Sequence, residues 1–220
     1  MPSWSGARTT PPGRFDLAAG AAIRVPIDAL RPGDPAATEA QRRALGLATA
    51  GGASPGAGAR AGLGEAVDLG LRVIGTTAQA ELRGAISLGD ERTVRLLLGV
   101  APFAGLVGDR EQSRGWRTGV ELPVMVGYEI GGLYELAVGV RAAGERISAD
   151  VATPGGPTGT LDAWHWRVGA VLGLGLGFRR LFVFVELAAD YEWLVATLDG
   201  ADAGTSGLSL TPAFALRWRL

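Results

Sequence analysis

The chain runs to 220 residues with a formal net charge of −1 at pH 7, and 47% of it is hydrophobic against 20% charged. That content is too apolar for a disordered chain and too evenly charged to set up a field that would hold nucleic acid. The absence of cysteine excludes disulfide scaffolds, thiolate zinc sites, thiol nucleophiles and lipid attachment at cysteine.

Residues 1–12 read MPSWSGARTTPP, without the apolar core of a secretory signal, so residues 1–13 are read as a tail and any export signal as already removed. Residues 14–27 alternate with period two, Phe15, Leu17, Ala19, Ala21, Ile23 and Val25 on one face and Arg14, Asp16 and Arg24 on the other, as a half-buried strand does. Residues 28–55 break the alternation with Ala, Gly and Pro. Within them Asp34 and Pro35 supply an N-cap and a first-turn proline, which predicts a short helix over residues 35–48.

Alternation then resumes and persists to the end of the chain. Residues 57–63 form a weak strand carrying Arg60, residues 67–74 set Val67, Leu69, Leu71 and Val73 against Asp68 and Arg72, and residues 78–88 set Leu82, Ile86 and Leu88 against Gln79, Glu81 and Arg83. Residues 92–107 are less regular, with Arg95 on the polar side. Residues 116–130 oppose Val120, Leu122, Val124, Val126 and Tyr128 to Arg117, Glu121 and Glu129, and residues 133–147 oppose Tyr134, Leu136, Val138 and Val140 to Glu135, Arg141 and Glu145. Residues 161–178 carry Trp164, Trp166, Val168, Leu172, Leu174, Leu176 and Phe178 against His165, Arg167 and mostly glycine. Residues 181–195 repeat the scheme with Leu181, Val183, Val185, Leu187, Tyr191 and Trp193 against Phe182, Phe184, Glu186, Asp190 and Glu192. The last run, residues 208–220, opposes Leu208, Leu210, Phe214, Leu216 and Trp218 to Ser209, Thr211, Arg217 and Arg219.

Four features place the apolar faces against lipid rather than in a soluble core. Several runs reach about 14–18 residues, well beyond the 5–6 typical of soluble strands. Connections alternate between turns of a few residues and longer loops, with residues 75–77 the short exception. Aromatics sit at strand ends on the apolar parity, Trp116, Trp164, Trp166, Tyr191 and Trp193 toward the long loops and Tyr128, Tyr134, Phe178 and Trp218 toward the short turns. The polar faces mix charge with Gly and Ala, which leaves room for long side chains inside a narrow lumen. All 21 basic residues are arginine, the cation best suited to bidentate pairing in a confined space. No uninterrupted apolar stretch is long enough for a spanning helix. The expected fold is therefore all-β, a transmembrane antiparallel up-and-down barrel of about ten strands with short periplasmic turns and longer extracellular loops. It forms one domain over residues 14–220.

These features resemble the outer-membrane β-barrel proteins of Gram-negative bacteria. The resemblance implies a bacterial outer-membrane location, outer-membrane lipid around the belt, handling by the insertion machinery, and a monomeric barrel. Such chains usually end in an aromatic, whereas here Trp218 stands two places before Leu220. Balanced charges on the inner face, Arg14, Asp16, Arg72, Glu81, Arg83, Arg117, Glu121, Arg141, Glu145, His165, Arg167, Asp190, Glu192, Arg217 and Arg219, are read as a lumen network that fills the barrel. Antiparallel pairing is expected to bring Glu121 near Arg141, Arg117 near Glu145, Arg167 opposite Glu192, and Asp16 between Arg217 and Arg219.

The expected role is a structural envelope component, or a barrel acting through its extracellular loops, with residues 28–55 as the contact surface for an envelope partner. The alternatives are a narrow pore for ions or small polar solutes, and a lipid or peptide hydrolase using His165. In the outer-membrane phospholipase and the lipid A deacylase a serine follows the histidine by two residues, and here Arg167 holds that place. In the omptin proteases an aspartate precedes it by two, and here Ala163 does. Neither motif is complete, so no enzyme activity is expected. No cofactor is expected either, and no metal, since one imidazole would need several carboxylates already engaged by arginine.

Overall fold

A computed structural model describes residues 6–27, 42, 45–48, 52–89, 93–108, 113–151, 159–178 and 180–220. The strands are β1 (Phe15–Pro26), β2 (Gly52–Gly62), β3 (Val67–Ile74), β4 (Thr77–Leu88), β5 (Val94–Val107), β6 (Ser113–Ile130), β7 (Tyr134–Val151), β8 (Gly159–Phe178), β9 (Leu181–Leu198), β10 (Ala201–Asp202) and β11 (Thr205–Arg219). All pairings between them are antiparallel. The ten long strands pair in chain order, and β11 closes on β1 from Asp16 opposite Arg219 to Pro26 opposite Ser209. The seam is sealed at the chain end, where Leu220 N–H donates to the carbonyl of Phe15 at 2.8 Å. Closure leaves no unpaired sheet edge, so the wall is hydrogen-bonded strand to strand around its whole circuit.

The two-residue strand β10 is an addition to the expected set; it folds back on β9 within the connection from β9 to β11. Strand β2 begins at Gly52, five residues before its predicted start, so the long connection after β1 is shorter than residues 28–55. The helix predicted over residues 35–48 lies largely outside the described residues, but Arg42 and residues 45–48 are helical.

The period-two pattern decides which way each side chain points. Leu71, Leu122, Val140, Leu174, Val185 and Phe214 face outward and are exposed, whereas Asp68, Glu81, Glu121, Arg141 and Asp190 face inward and are buried. The wall is uneven in height. Strands β6 to β9 have 18, 18, 20 and 18 residues, but β3 has only 8 and meets β4 through a turn at Gly75 and Thr76.

The interior is not uniformly polar. At the long-loop end Val107, Ile147, Ala149, Leu161, Leu194 and Ala196 form an apolar lining beyond the charged residues. Phe182 and Phe184, on the parity expected to be polar, pack inside with Ala213 and Ala215, and a third cluster joins Leu97, Met125, Ala137, Val171 and Ala188.

Candidate functional site in the barrel lumen

The inward parity of eight strands delivers a charged network to the lumen. Asp16, Arg72, Glu81, Arg83, Arg117, Glu121, Arg141, Glu145, His165, Arg167, Asp190, Glu192, Arg217 and Arg219 all point inward and are buried or half-buried. Arg14 does not join them: it precedes β1 at the short-turn rim and is exposed, because the strand begins one residue later than the pattern implied.

Beside β2 to β4, Asp68 receives Arg60 at 2.6 Å and Arg83 at 2.8 Å, and Arg60 also reaches Glu81 at 2.5 Å. Across β8, Arg141 forks onto Asp190 at 2.9 and 2.5 Å. That bidentate geometry matches the planar guanidinium to the carboxylate. Arg117 lies 3.6 Å from Glu145, in keeping with the expected proximity. Arg167 stands opposite Glu192 in the register but donates to Glu121 at 3.4 Å, and Arg72 approaches Glu121 at 3.7 Å.

The seam pairing differs from expectation. Asp16 lies opposite Arg219, yet Arg217 and Arg219 both cross the lumen to Glu135, while Asp16 accepts from the Thr10 hydroxyl at 3.2 Å. The inward phenyl rings account for this. Arg217 stacks over Phe184 at 4.3 Å and Arg219 over Phe182 at 4.0 Å, and these contacts steer both guanidinium groups away from the seam.

His165 is buried between two carboxylates, its Nδ1 2.7 Å from Glu145 and its Nε2 2.8 Å from Glu192. Both nitrogens are satisfied as donors when the ring carries two protons. Glu192 is itself bound by Arg24 and by the Ser209 hydroxyl. The two carboxylates occupy opposite edges of the ring, so the three groups do not converge on one point. Among the described residues there is no His, Asp and Glu cluster suited to a metal ion.

Two backbone segments complete the filling. From the short-turn end, residues 6–10 run inside the barrel. There Ala7 N–H donates to Glu135 at 3.0 Å, Thr10 N–H donates to Asp68 at 2.8 Å, and Arg83 donates to the carbonyls of Gly6 and Arg8 at 3.2 and 2.7 Å. Little in the sequence signals this, since only the small and polar run Gly6–Thr10 distinguishes a segment that fits a lumen. From the opposite end, the helical residues 45–48 bury Leu45, Leu47 and Ala48, the latter two against the apolar mouth lining. The carbonyls of Leu47 and Ala48 accept from Arg117 at 3.4 and 3.0 Å, and that of Ala48 from Arg24 at 3.4 Å.

On the outer wall, Trp116, Trp164, Trp166 and Tyr191 are exposed toward the long-loop end, and Tyr128, Tyr134, Phe178 and Trp218 toward the short-turn end. Trp193 faces out but is half-buried, 6.1 Å from Tyr191, and Trp164 stacks on Trp166 at 5.9 Å. Aromatic rings at both rims, aliphatic side chains between them and ionised groups inside define a transmembrane β-barrel.

The fold is thus an all-β, closed antiparallel barrel of ten long strands. No protein-family model matches the sequence, and no curated protein does either. Among solved structures the chain is similar to neisserial surface protein A, with 11% identity over 94% of this chain and 98% of that one and a TM-score of 0.40. It is also similar to the outer membrane protease OmpT from Escherichia coli, with 8% identity over 96% of this chain and 98% of that one and a TM-score of 0.45. The barrel itself is defined by its own closed circuit of hydrogen-bonded strands.

Proposed function

We propose that the protein is a closed, monomeric barrel of the bacterial outer membrane whose lumen does not conduct, and that it serves the envelope through its outer wall and its long-loop end. The filling of the lumen supports this reading. Residues 6–10 occupy the short-turn end, ion pairs bridge the middle, and Leu45, Leu47 and Ala48 close on the mouth. A continuous wet path would need these groups to part. In this reading lipid surrounds the apolar belt and an envelope partner meets the connection between β1 and β2. Hydrolysis at His165 gains no support from the geometry, because both ring nitrogens are held by carboxylates and the nearby Ser209 hydroxyl is turned to Glu192.

Single-channel recording tests the reading on full-length chain refolded in detergent and shown to be folded by a heat-dependent gel shift. Flat traces in a planar bilayer are expected. Stable ohmic steps would overturn the closed lumen and favour the alternative of a narrow pore.

A further inference from the structure

Between the central ion pairs and the long-loop end the lumen retains a cavity of about 140 Å³, bordered by Gly75 and Thr76 at the low part of the wall. Among the described residues its ionised lining is Arg24, Arg117, Arg141 and Arg167 with one carboxylate, Asp190. Each of these arginines has a carboxylate neighbour, and Arg24 and Arg117 also donate to the carbonyls of Leu47 and Ala48, but in three of the four pairs the arginine is the more exposed member. The side chains of Arg24, Arg117 and Arg167 are 16%, 15% and 10% exposed, while Glu192, Glu145 and Glu121 behind them are 1%, 3% and 1% exposed.

Two of the pairings are slack. Arg167 stands 3.4 Å from Glu121 and Arg117 Nε stands 3.6 Å from Glu145, and that Nε is buried with no hydrogen-bond partner among the described residues. Convergent guanidinium groups in a low-dielectric recess offer several charge-assisted donors to one acceptor. The volume falls well below the roughly 300 Å³ at which pockets for larger organic ligands begin, and so suits a small anion.

We propose that this cavity binds a small tetrahedral oxyanion of the phosphate class, entering past Gly75 and Thr76 and held by Arg24, Arg117, Arg141 and Arg167. The hydroxyls of Ser54 and Thr211 also line the space and supply neutral donors. Phosphate chemistry reaches such a barrel either as the free ion or on a lipid. The wall separates the cavity from the lipid belt, so the free ion is the ligand. The site is independent of conduction: a silent barrel can bind the ion, and a conducting one can fail to.

Titration calorimetry of the refolded full-length chain at low ionic strength tests this, with inorganic phosphate in one arm and a short-chain phosphatidic acid in the other. Three variants accompany it: Arg167→Gln, Ser54→Glu, and Arg146→Gln. Arg146 lies on the outer face, paired with Asp162 at 3.0 Å. Saturable one-site binding of phosphate is expected, weakened at least about tenfold by Arg167→Gln and by Ser54→Glu and unchanged by Arg146→Gln. Should Arg167→Gln fail the gel-shift check, Ser54→Glu decides alone, since it removes no ion pair. The proposal is overturned by absent binding in folded protein, by binding that survives the cavity variants, by equal weakening in Arg146→Gln, or by binding of the lipid phosphate alone.

Discussion

Gly169 leaves open the space that Arg141 crosses. The register places Arg141, Gly169 and Asp190 in one row across β7, β8 and β9, so the fork spans an intervening strand only because that strand has no side chain there. A methyl group at Gly169 would collide with Asp190 Oδ1 and with the backbone of Ala189. Removing one member of a buried ion pair costs about 3–5 kcal/mol, because the other charge is left uncompensated. Asp190→Ala is expected to lose stability of that order in urea unfolding from lipid vesicles, and Gly169→Ala a comparable amount. The double variant should lose little more than either single one, whereas full additivity would show that the glycine acts elsewhere. At this scale the sequence was partly legible. Parity identified which charges face inward, but not that Arg141 reaches past a neighbour or that Arg217 and Arg219 cross to Glu135. Register fixes only adjacent positions on the wall, while an arginine is long enough to choose among several carboxylates in a narrow lumen.

Along an element the governing variable is the face. Leu172 and Val171 are neighbours in β8, yet Leu172 meets lipid while Val171 is buried inside with Met125 and Ala188. Leu172 also lies between the Trp164 and Trp166 rings at one rim and Phe178 at the other, near the middle of the belt. Leu172→Arg is therefore expected to cost about 2–4 kcal/mol of folding free energy in vesicles. The same change at exposed Thr160, beyond the aromatic rim, should cost much less, and equal costs would mean that the belt is misplaced. Strand existence and facing were legible because alternation is dictated by the pleat. Strand ends were not: β6 to β9 continue past the rim into segments where the inner face turns apolar, as at Ile147, Leu161 and Leu194, and the outer face turns polar, so the alternation no longer reports on lipid. Strand β2 was underestimated for a related reason, since its sequence GASPGAGARAG carries too little apolar contrast for the period to register.

For the whole molecule, closure depends on parts of the chain that are not strands. Residues 6–10 are held by Asp68, Arg83 and Glu135, and Ala7 passes directly over Gly127, where any side chain would overlap its backbone. Gly127→Val is expected to displace this segment and make it cleavable by protease in folded protein, whereas in the parent chain it should resist. Bilayer traces of the variant should stay flat, because the ion pairs and the mouth lining are untouched. Conduction on loss of this contact alone would identify the tail as the whole barrier. Sequence reading could not place this segment, since a stretch with no periodicity carries no record of which wall it meets.

The threaded segment also orders events in time. Its hydrogen bonds to Asp68 and Glu135 span 58 and 128 residues of chain, so none of the Glu135 contacts exists until β7 is in place. Nor can β1 be zipped to β11 around an empty bore and filled afterwards without drawing the tail in lengthwise past Arg217 and Arg219. The cheaper course is for the forming sheet to curl around its own beginning, with the tail as a mandrel and the seam between first and last strands as the final stitch.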